Sequence, residues 1–343
     1  MVLACIFLPN TVNAELPFTN YIVKDMKSGR VFYEKASNIK KLPASTTKVM
    51  TAIVAIENSE LSDVVKVGEE ILTMDGSNIY LEIGENILMQ DLLYGLILRS
   101  GNDASMAIAK HVSGSVENFV VLMNEKAREL NLKNTIFNNP SGLDDFEKNY
   151  TTVEDLTTIY TYAYQNETFR KIIKAKDYST NSDKKAYYFK NKTKFINIYD
   201  KATGGKTGYT PDAGRVLVTS ADNKDLDLVM ASIGNDYGYT SHKNTYEKVF
   251  NNYKMYELLD KNNFKVENNF EGKLYIKNSF SYPLSKEEID LVNKKVIFNN
   301  KDKGKIGDVL IYLDKELIHK ENIYLKENKV SFFEKVKTFF KFT

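Results

Sequence analysis

The segment that most constrains the fold is a helical run over residues 45–57, which directly follows Pro43-Ala44. Apolar side chains surround this helix on most sides, at Val49, Met50, Ala52, Ile53, Val54 and Ile56. A helix that is apolar all round belongs in the interior of a protein. Polar and cationic groups are nevertheless predicted there, because the first turn reads Ser45, Thr46, Thr47 and Lys48. Burial of such groups needs a functional reason.

The patterns on either side of this helix predict an α+β fold. Alternating runs at 20–24 and 30–33 predict a β-hairpin. Further helices are predicted at 87–98, 104–112, 115–130 with Ser115 as N-cap, and 152–164 with Thr151 or Thr152 near its cap. Strands at 206–210, 215–220 and 226–234 then predict an antiparallel meander, followed by a helix over 240–259. Strands, then helices, then strands are typical of α+β domains.

The composition changes after the last of these helices, which predicts a second domain. Short strands at 273–276, 295–298 and 309–313 are separated by Asn, Lys, Asp and Gly. We therefore expect a main domain over residues 15–259 and a small β-rich domain over 260–328.

The first fourteen residues, MVLACIFLPNTVNA, are a short apolar run that ends in small residues. This order is typical of a secretory signal and its cleavage site, although the positively charged start is missing. We interpret residues 1–14 as the remnant of a signal peptide and expect an exported protein. A first strand of the fold and a lipoprotein box around Cys5 are the alternatives. Since Cys5 is the single cysteine, a cleaved chain would have no disulfide and no catalytic thiol.

The last fifteen residues, 329–343, predict a basic amphipathic helix. One face carries Phe332, Phe333, Val336, Phe339 and Phe340, and the flanks and back carry Lys335, Lys337 and Lys341. Helices of this kind lie in membrane interfaces. We expect this helix to bind the outer surface of the cytoplasmic membrane. The alternative is a tail helix that packs on the protein's own β-rich domain.

Charge and histidine placement exclude several other partners. A formal net charge of +2 gives no basis for a nucleic-acid partner. His111, His242 and His319 show no metal-ligand spacing, and no glycine-rich nucleotide loop follows a strand. The sequence therefore predicts no metal and no cofactor.

Ser45 and Lys48 carry the first chemical hypothesis. Side chains at i and i+3 of a helix share one face, about 5–6 Å apart. Burial disfavours the charged form of a lysine, so a neutral Lys48 can take the hydroxyl proton of Ser45 and make it a nucleophile. In isolation, however, the motif is better explained by an N-cap serine followed by a surface lysine.

Two further motifs decide between these interpretations. Ser100-Gly101-Asn102 separates two predicted helices, and Lys206-Thr207-Gly208 opens a predicted strand. Ser-x-x-Lys, Ser-Asp-Asn and Lys-Thr-Gly form a set in β-lactamases and penicillin-binding proteins. In such a set, Ser100 relays a proton between Lys48 and the leaving amine. Asn102 bonds the substrate amide and Lys48.

The third motif predicts how a peptide substrate is held. Lys206 and Thr207 bind its terminal carboxylate, by charge and by a hydrogen bond. Gly208 lets the strand backbone lie close to the substrate, which pairs as an added strand. The backbone N–H groups of Ser45 and Tyr209 form an oxyanion hole.

With these residues the chain resembles the low-molecular-mass penicillin-binding proteins that are serine-type D-alanyl-D-alanine carboxypeptidases. The matching stretches are 42–48, 98–104, 139–144 and 205–210, within a resemblance that runs from about Thr19 to about Leu325. It implies a penicillin-recognition (β-lactamase-like) domain, with an antiparallel sheet flanked by helices, plus a small C-terminal β-rich domain. It also implies peptidoglycan stem pentapeptides ending in D-Ala-D-Ala as substrate, and β-lactam antibiotics as covalent inhibitors.

The sequence departs from some relatives in two places. Certain members carry a histidine in the loop occupied here by Ser141, and an arginine on the strand after Lys-Thr-Gly that contacts the substrate carboxylate. The equivalent stretch here is Leu226-Asp227-Leu228, without arginine. Arg215 is the nearest candidate to take that role.

Two other functions stay open. A β-lactamase would use a glutamate-held water, but Gly101 stands where that set has aspartate, and no glutamate-centred loop is evident between Asn102 and Lys206. A catalytically silent penicillin-binding or wall-sensing protein would keep the same motifs without turnover.

Overall fold

The computed structural model describes residues 16–72, 74–145, 147–267, 270, 272–299 and 304–326. The chain divides into two compact units, Met1–Val249 and Phe250–Thr343. The predicted leader at 1–14 and the predicted helix at 329–343 both lie outside the described residues.

Along the chain of the N-terminal unit, most strands come before or after a stretch that consists mainly of helices. In chain order they are β1 (Phe18–Asp25), β2 (Val31–Lys35), β3 (Val64–Lys66), β4 (Asn86–Leu88), β5 (Asp177–Asn181), β6 (Ala186–Lys190), β7 (Ala202–Thr210), β8 (Gly214–Asp222) and β9 (Asp227–Gly234). The helices are α1 (Lys48–Asn58), α2 (Met89–Tyr94), α3 (Asn102–Ser113), α4 (Val116–Glu129), α5 (Val153–Gln165), α6 (Glu167–Lys174), α7 (Phe195–Ile198) and α8 (Tyr239–Asn252), in which the division between the units falls.

A five-stranded sheet with the order β2-β1-β9-β8-β7 forms the middle layer of the N-terminal unit. Every neighbouring pair is antiparallel, so the predicted hairpin and the predicted meander join through β1 and β9. Val216 and Val218 of β8 face the core shared with α1 and α5, whereas Thr219 of β8 bonds His242 of α8. Helices therefore cover both faces, and β7 is left at an edge.

Helix α1 lies inside this unit, as the sequence predicts. Its residues 48–55 are all buried, and Val49 and Met50 have no exposed surface. A 3-10 turn over Ala44–Thr47 leads into the helix. Ala44 has a φ of +46°, a conformation that residues other than glycine rarely adopt. The chain thus enters its most buried helix through a strained turn.

Two predicted helix N-caps are confirmed. The Ser115 hydroxyl accepts a hydrogen bond from the Asn118 N–H at 3.0 Å, and the Thr152 hydroxyl accepts one from the Asp155 N–H at 2.9 Å. Each side chain satisfies one of the donors that a helix start leaves unpaired.

The C-terminal unit is β-rich, as predicted. Its strands are β10 (Lys254–Leu259), β11 (Lys273–Ile276), β12 (Phe280–Leu284), β13 (Val292–Phe298), β14 (Gly304–Leu313) and β15 (Glu316–Lys326). They form a two-stranded sheet, β10-β12, and a four-stranded sheet, β11-β15-β14-β13. The buried core of this unit includes Leu259, Leu274, Ile276, Ile306, Val309, Ile311 and Ile323.

Two predicted helices differ in the structure. The helix predicted over 240–259 ends at Asn252, because residues 254–259 pair with β12 as strand β10. The division between the units accordingly lies at 249/250, before the predicted boundary at 259/260. The run predicted as one helix over 87–98 is a short strand, then α2, then a π-helical turn over Gly95–Arg99. The sequence pattern also missed the β5–β6 hairpin.

Among the described residues, no helix combines the length and the apolar character needed to cross a membrane.

A buried histidine predicts an acid-sensitive fold. His242 has no exposed surface, and its ring nitrogens each lie 2.8 Å from a hydroxyl, of Thr219 and of Ser232. Burial lowers the pKa of His242 to about 3. The neutral ring therefore stabilises the fold fully above about pH 6.5, and this contribution is lost as the pH falls from 6.5 towards 3. The loss is about 2 kcal/mol at pH 5.

Urea unfolding between pH 4.5 and 7.5 measures this effect. A His242→Gln variant keeps hydrogen-bonding capacity but does not titrate, so its unfolding free energy should fall less between pH 6.5 and 5 than that of the unaltered protein. His111→Gln, at a surface histidine, is the control. If the unfolding free energy fell equally with pH in His242→Gln and in the unaltered protein, His242 would not be the source of the acid sensitivity.

Candidate active site

The amine of Lys48 is the centre of the site. Its Nζ lies 3.1 Å from Ser45 Oγ, 2.7 Å from Asn102 Oδ1 and 2.5 Å from the carbonyl oxygen of Ser141. Lys48 is fully buried, while Ser45 keeps some exposure. All three partners are uncharged, so no carboxylate among them holds the amine in its ammonium form.

The charge state of Lys48 follows from these surroundings. Burial holds its pKa well below the usual value, and the nearby cations Lys206 and Lys192 lower it further. The Asp103 carboxylate acts in the opposite direction. Since the lowering effects dominate, Lys48 can be a neutral base beside the Ser45 hydroxyl.

A second buried lysine lies on strand β7. Lys206 Nζ donates to Ser100 Oγ at 3.0 Å and to the Thr207 carbonyl at 2.7 Å. Burial, with a smaller contribution from Lys192, lowers the pKa of Lys206 to about 7. Lys206 therefore exists in both charge states near neutral pH.

Ser100 and Asn102 reach the cluster through a sharp change of backbone direction. Ser100 ends the π-helical turn with φ +63° and ψ +36°, and α3 begins two residues later at Asn102. A left-handed conformation at a residue other than glycine costs energy and is concentrated at functional sites. This turn lets the Ser100 hydroxyl face Lys206 while Asn102 faces Lys48.

Strand β7 lies directly against the Ser45 turn. A Cβ atom on Gly208 would be 2.9 Å from the Pro43 carbonyl oxygen and 3.0 Å from the Ser45 nitrogen. Any side chain at position 208 would therefore displace the turn that carries Ser45. Because β7 is an edge strand, one row of its backbone groups is also left unpaired by β8.

The structure thus brings Ser45, Lys48, Ser100, Asn102 and Lys206 together. The other predicted site residues lie on β7 and β8. Thr207 contributes its backbone carbonyl to Lys206. Tyr209 is half exposed and pairs across the strands with Arg215. The Arg215 guanidinium carbon lies 4.9 Å from the ring centroids of both Tyr209 and Tyr237. Arg215 is thus held between two aromatic rings.

Sequence reasoning gave no role to the turn that supplies the third partner of Lys48. Asn139 Oδ1 accepts the N–H groups of Ser141 at 3.2 Å and Gly142 at 2.7 Å, which fixes the turn. Gly142 has a φ of +82°, and a Cβ there would lie 2.0 Å from the Ala44 carbonyl oxygen. The sequence marks 139–144 as a stretch shared with the family and Ser141 as a departure from some members, but a backbone carbonyl has no sequence signature.

Three further residues near the site were also missed: Asp75, Ser77 and Lys192. The backbone carbonyl of Asp75 accepts a hydrogen bond from Asn102 Nδ2, and the Ser77 hydroxyl accepts one from Lys192 Nζ. No motif marked them. As for metals, the described residues contain no group of three or more His, Cys, Asp or Glu side chains placed to hold an ion.

Comparison with known proteins agrees with this geometry. The family profile for D-alanyl-D-alanine carboxypeptidases (peptidase family S11) matches residues 10–237, which include the whole cluster. The chain belongs to this family. The family predicted from the motifs is therefore confirmed.

Two curated family members illustrate the extent of the similarity. D-alanyl-D-alanine carboxypeptidase DacF from Bacillus subtilis is 36% identical over 219 residues, covering 62% of this chain and 56% of DacF. A D-alanyl-D-alanine carboxypeptidase from Streptomyces sp. is 35% identical over 212 residues, covering 57% of this chain and 72% of that protein. The match thus spans little more than half the length of DacF.

The solved structures extend the fold comparison to more of the chain. Penicillin-binding protein 5 from Haemophilus influenzae has a TM-score of 0.80 at 26% identity, covering 92% of this chain and 98% of that one. The predicted fold class, a penicillin-recognition domain with a C-terminal β-rich domain, is confirmed.

Proposed function

We propose that this protein is a serine D,D-carboxypeptidase, which removes the terminal D-alanine from peptidoglycan stem pentapeptides through an acyl-enzyme on Ser45. The observation that carries the proposal is the buried Lys48 amine, which lies 3.1 Å from Ser45 Oγ. Its other hydrogen-bond partners among the described residues, the Asn102 amide and the Ser141 carbonyl, are uncharged as well. Membership of the D-alanyl-D-alanine carboxypeptidase family supports it.

Acylation begins when neutral Lys48 takes the proton of the Ser45 hydroxyl. The oxygen attacks the carbonyl carbon of the penultimate D-alanine, and the N–H groups of Ser45 and Tyr209 stabilise the resulting oxyanion. Ser100, which bonds Lys206, relays a proton to the leaving nitrogen. The C–N bond breaks, free D-alanine departs, and water later hydrolyses the ester with Lys48 again as base. β-Lactams acylate the same oxygen.

Substrate binding uses the edge of the sheet. The peptide adds to β7 as a further strand, which the close approach at Gly208 permits. Lys206 in its ammonium form and the Thr207 hydroxyl bind the terminal carboxylate. Arg215 completes carboxylate recognition from beside Tyr209, because its position between two rings limits the freedom that binding would remove.

Export and membrane attachment belong to the same proposal, on the sequence pattern alone. The peptidase domain is the N-terminal unit, which ends at Val249. Residues 1–14 are a leader remnant, and residues 329–343 a helix at the outer membrane surface. A chain ending at residue 328 should no longer sediment with vesicles containing anionic lipid, whereas the full chain should. Equal sedimentation of both would contradict the attachment.

The nucleophile is tested by replacing Ser45 in the full chain. Ser45→Ala should lose covalent labelling by a fluorescent penicillin, and should release no D-alanine from diacetyl-L-Lys-D-Ala-D-Ala, because no oxygen remains to form the acyl-enzyme. Ser59→Ala is the matched control, since Ser59 lies at the far end of α1 and bonds the Ala55 carbonyl. It should retain both activities.

The same assays separate the competing functions. Labelling retained in Ser45→Ala would remove the nucleophile assignment. An unaltered protein whose penicillin adduct decays within seconds would be a β-lactamase. Stable labelling without D-alanine release would make it a wall-sensing protein.

The state of Lys206 predicts an alkaline limit to substrate binding. Its pKa is about 7, so the ammonium form that attracts a carboxylate becomes scarce as the pH rises. For a peptide with a free C-terminus, kcat/KM should fall above pH 7, approaching about tenfold per pH unit. A β-lactam methyl ester, which lacks the carboxylate, should be acylated without this decline. The same decline for both ligands would refute the role of Lys206.

A further inference from the structure

The segment over residues 75–81 is bound to the first turn of α3, where the site asparagine lies. The Asn102 N–H donates to the Ser77 carbonyl at 2.7 Å, and the Asp103 N–H donates to Asn78 Oδ1 at 3.1 Å. On the other side, Lys192 Nζ donates to Ser77 Oγ at 2.8 Å. The segment therefore forms a wall beside the Lys48 cluster.

The side-chain amide of Asn102 is shared between Lys48 and this wall. Its Oδ1 accepts from Lys48 Nζ at 2.7 Å, and its Nδ2 donates to the Asp75 carbonyl at 2.6 Å. A carbonyl oxygen can only accept a hydrogen bond. If the amide were flipped, the Asn102 side-chain oxygen would face the Asp75 carbonyl oxygen, and neither atom could donate a hydrogen bond. The Asp75 carbonyl therefore determines which end of the amide faces Lys48.

Asp103 ties the far end of the wall to the same helical turn. Its side chain is buried, and its carboxylate oxygens accept the Ile79 N–H at 3.0 and 3.1 Å and the Leu81 N–H at 3.0 Å. A further bond comes from the Ala104 N–H at 2.8 Å. A buried carboxylate with several backbone donors forms strong, directional bonds. Asn102 thus bonds one end of this segment, at Asp75, and Asp103 bonds the other end, at Ile79 and Leu81.

We propose that Asp103 is a positioning residue, which holds residues 75–81 in place so that the Asp75 carbonyl turns the Asn102 amide oxygen towards Lys48. This inference rests on the proposed function, because Lys48 is the base of that reaction. Asp103 has no role in binding the reacting atoms. It acts through the segment and through Asn102.

The test uses the full chain with Asp103→Asn, which keeps the size of the side chain but removes its charge and one acceptor oxygen. The rate constant for acylation by a fluorescent penicillin should fall about tenfold or more, because Asn102 is no longer held in one orientation. The acylation rate should rise with pH as Lys48 loses its proton, and this acidic limb of the pH profile should also move to lower pH. The charged groups that act on Lys48 are Lys206, Lys192 and Asp103, and only the last of these raises its pKa.

A matched control comes from another buried aspartate. Asp91 of α2 is 2% exposed and accepts the Tyr178 hydroxyl at 2.7 Å. Asp91→Asn should lose stability without altering the acylation rate or its pH profile. Asn78→Ala is a milder second variant on the wall itself, and it should slow acylation with no shift of the acidic limb.

Each outcome decides the proposal. An unchanged rate in both Asp103→Asn and Asn78→Ala would overturn it. The proposal would also be overturned if Asp91→Asn and Asp103→Asn lowered the acylation rate constant equally and the acidic limb did not move. Asp103 would then contribute only to stability. Failure of the proposed function is distinguishable, because the unaltered protein would then lack Ser45-dependent labelling or D-alanine release.

Discussion

Two lysine amines are buried with no carboxylate among their hydrogen-bond partners in the described part of the chain, and the rest of the site depends on this arrangement. A buried charge without a partner costs several kcal/mol, so such a group neutralises or finds a ligand. Lys48 and Lys206 bond instead to hydroxyl, amide and carbonyl oxygens. These acceptors satisfy the amine hydrogens in either charge state. A salt bridge would have fixed both lysines as cations and removed the base.

The positions of those acceptors require strained backbone. Ala44 and Ser100 adopt positive φ angles, and Gly142 occupies a position where a Cβ would meet the Ala44 carbonyl. Such conformations persist only where the surrounding structure determines them. Here residues 48–55 of α1 are buried, and the edge strand β7 closes at Gly208 on the 3-10 turn that precedes the helix. The buried apolar helix therefore holds the reactive turn rigid, which explains why Ser45 and Lys48 stand at the start of so apolar a segment.

Much of this could be predicted, and the parts that could not share a physical reason. The Ser45 and Lys48 pair follows from helical spacing, and Ser100, Asn102 and Lys206 from motif order. The Ser141 and Asp75 contributions come from backbone carbonyls, which any residue supplies, so no pattern announces them. The prediction that the last helix continues past Asn252 was wrong for a related reason. Residues 254–259 alternate poorly as a strand, and only pairing with β12 makes them one.

The two lysines show how one residue type serves two tasks. The pKa of Lys206 is about 7, so near neutral pH it keeps part of its charge, and that charge lowers the pKa of Lys48. The cation suited to a carboxylate thus helps to keep the neighbouring amine neutral. Pairs of titratable groups whose environments drive their pKa values apart divide acid, base and electrostatic roles in enzymes. The Asp103 carboxylate acts against this effect, because it raises the pKa of Lys48.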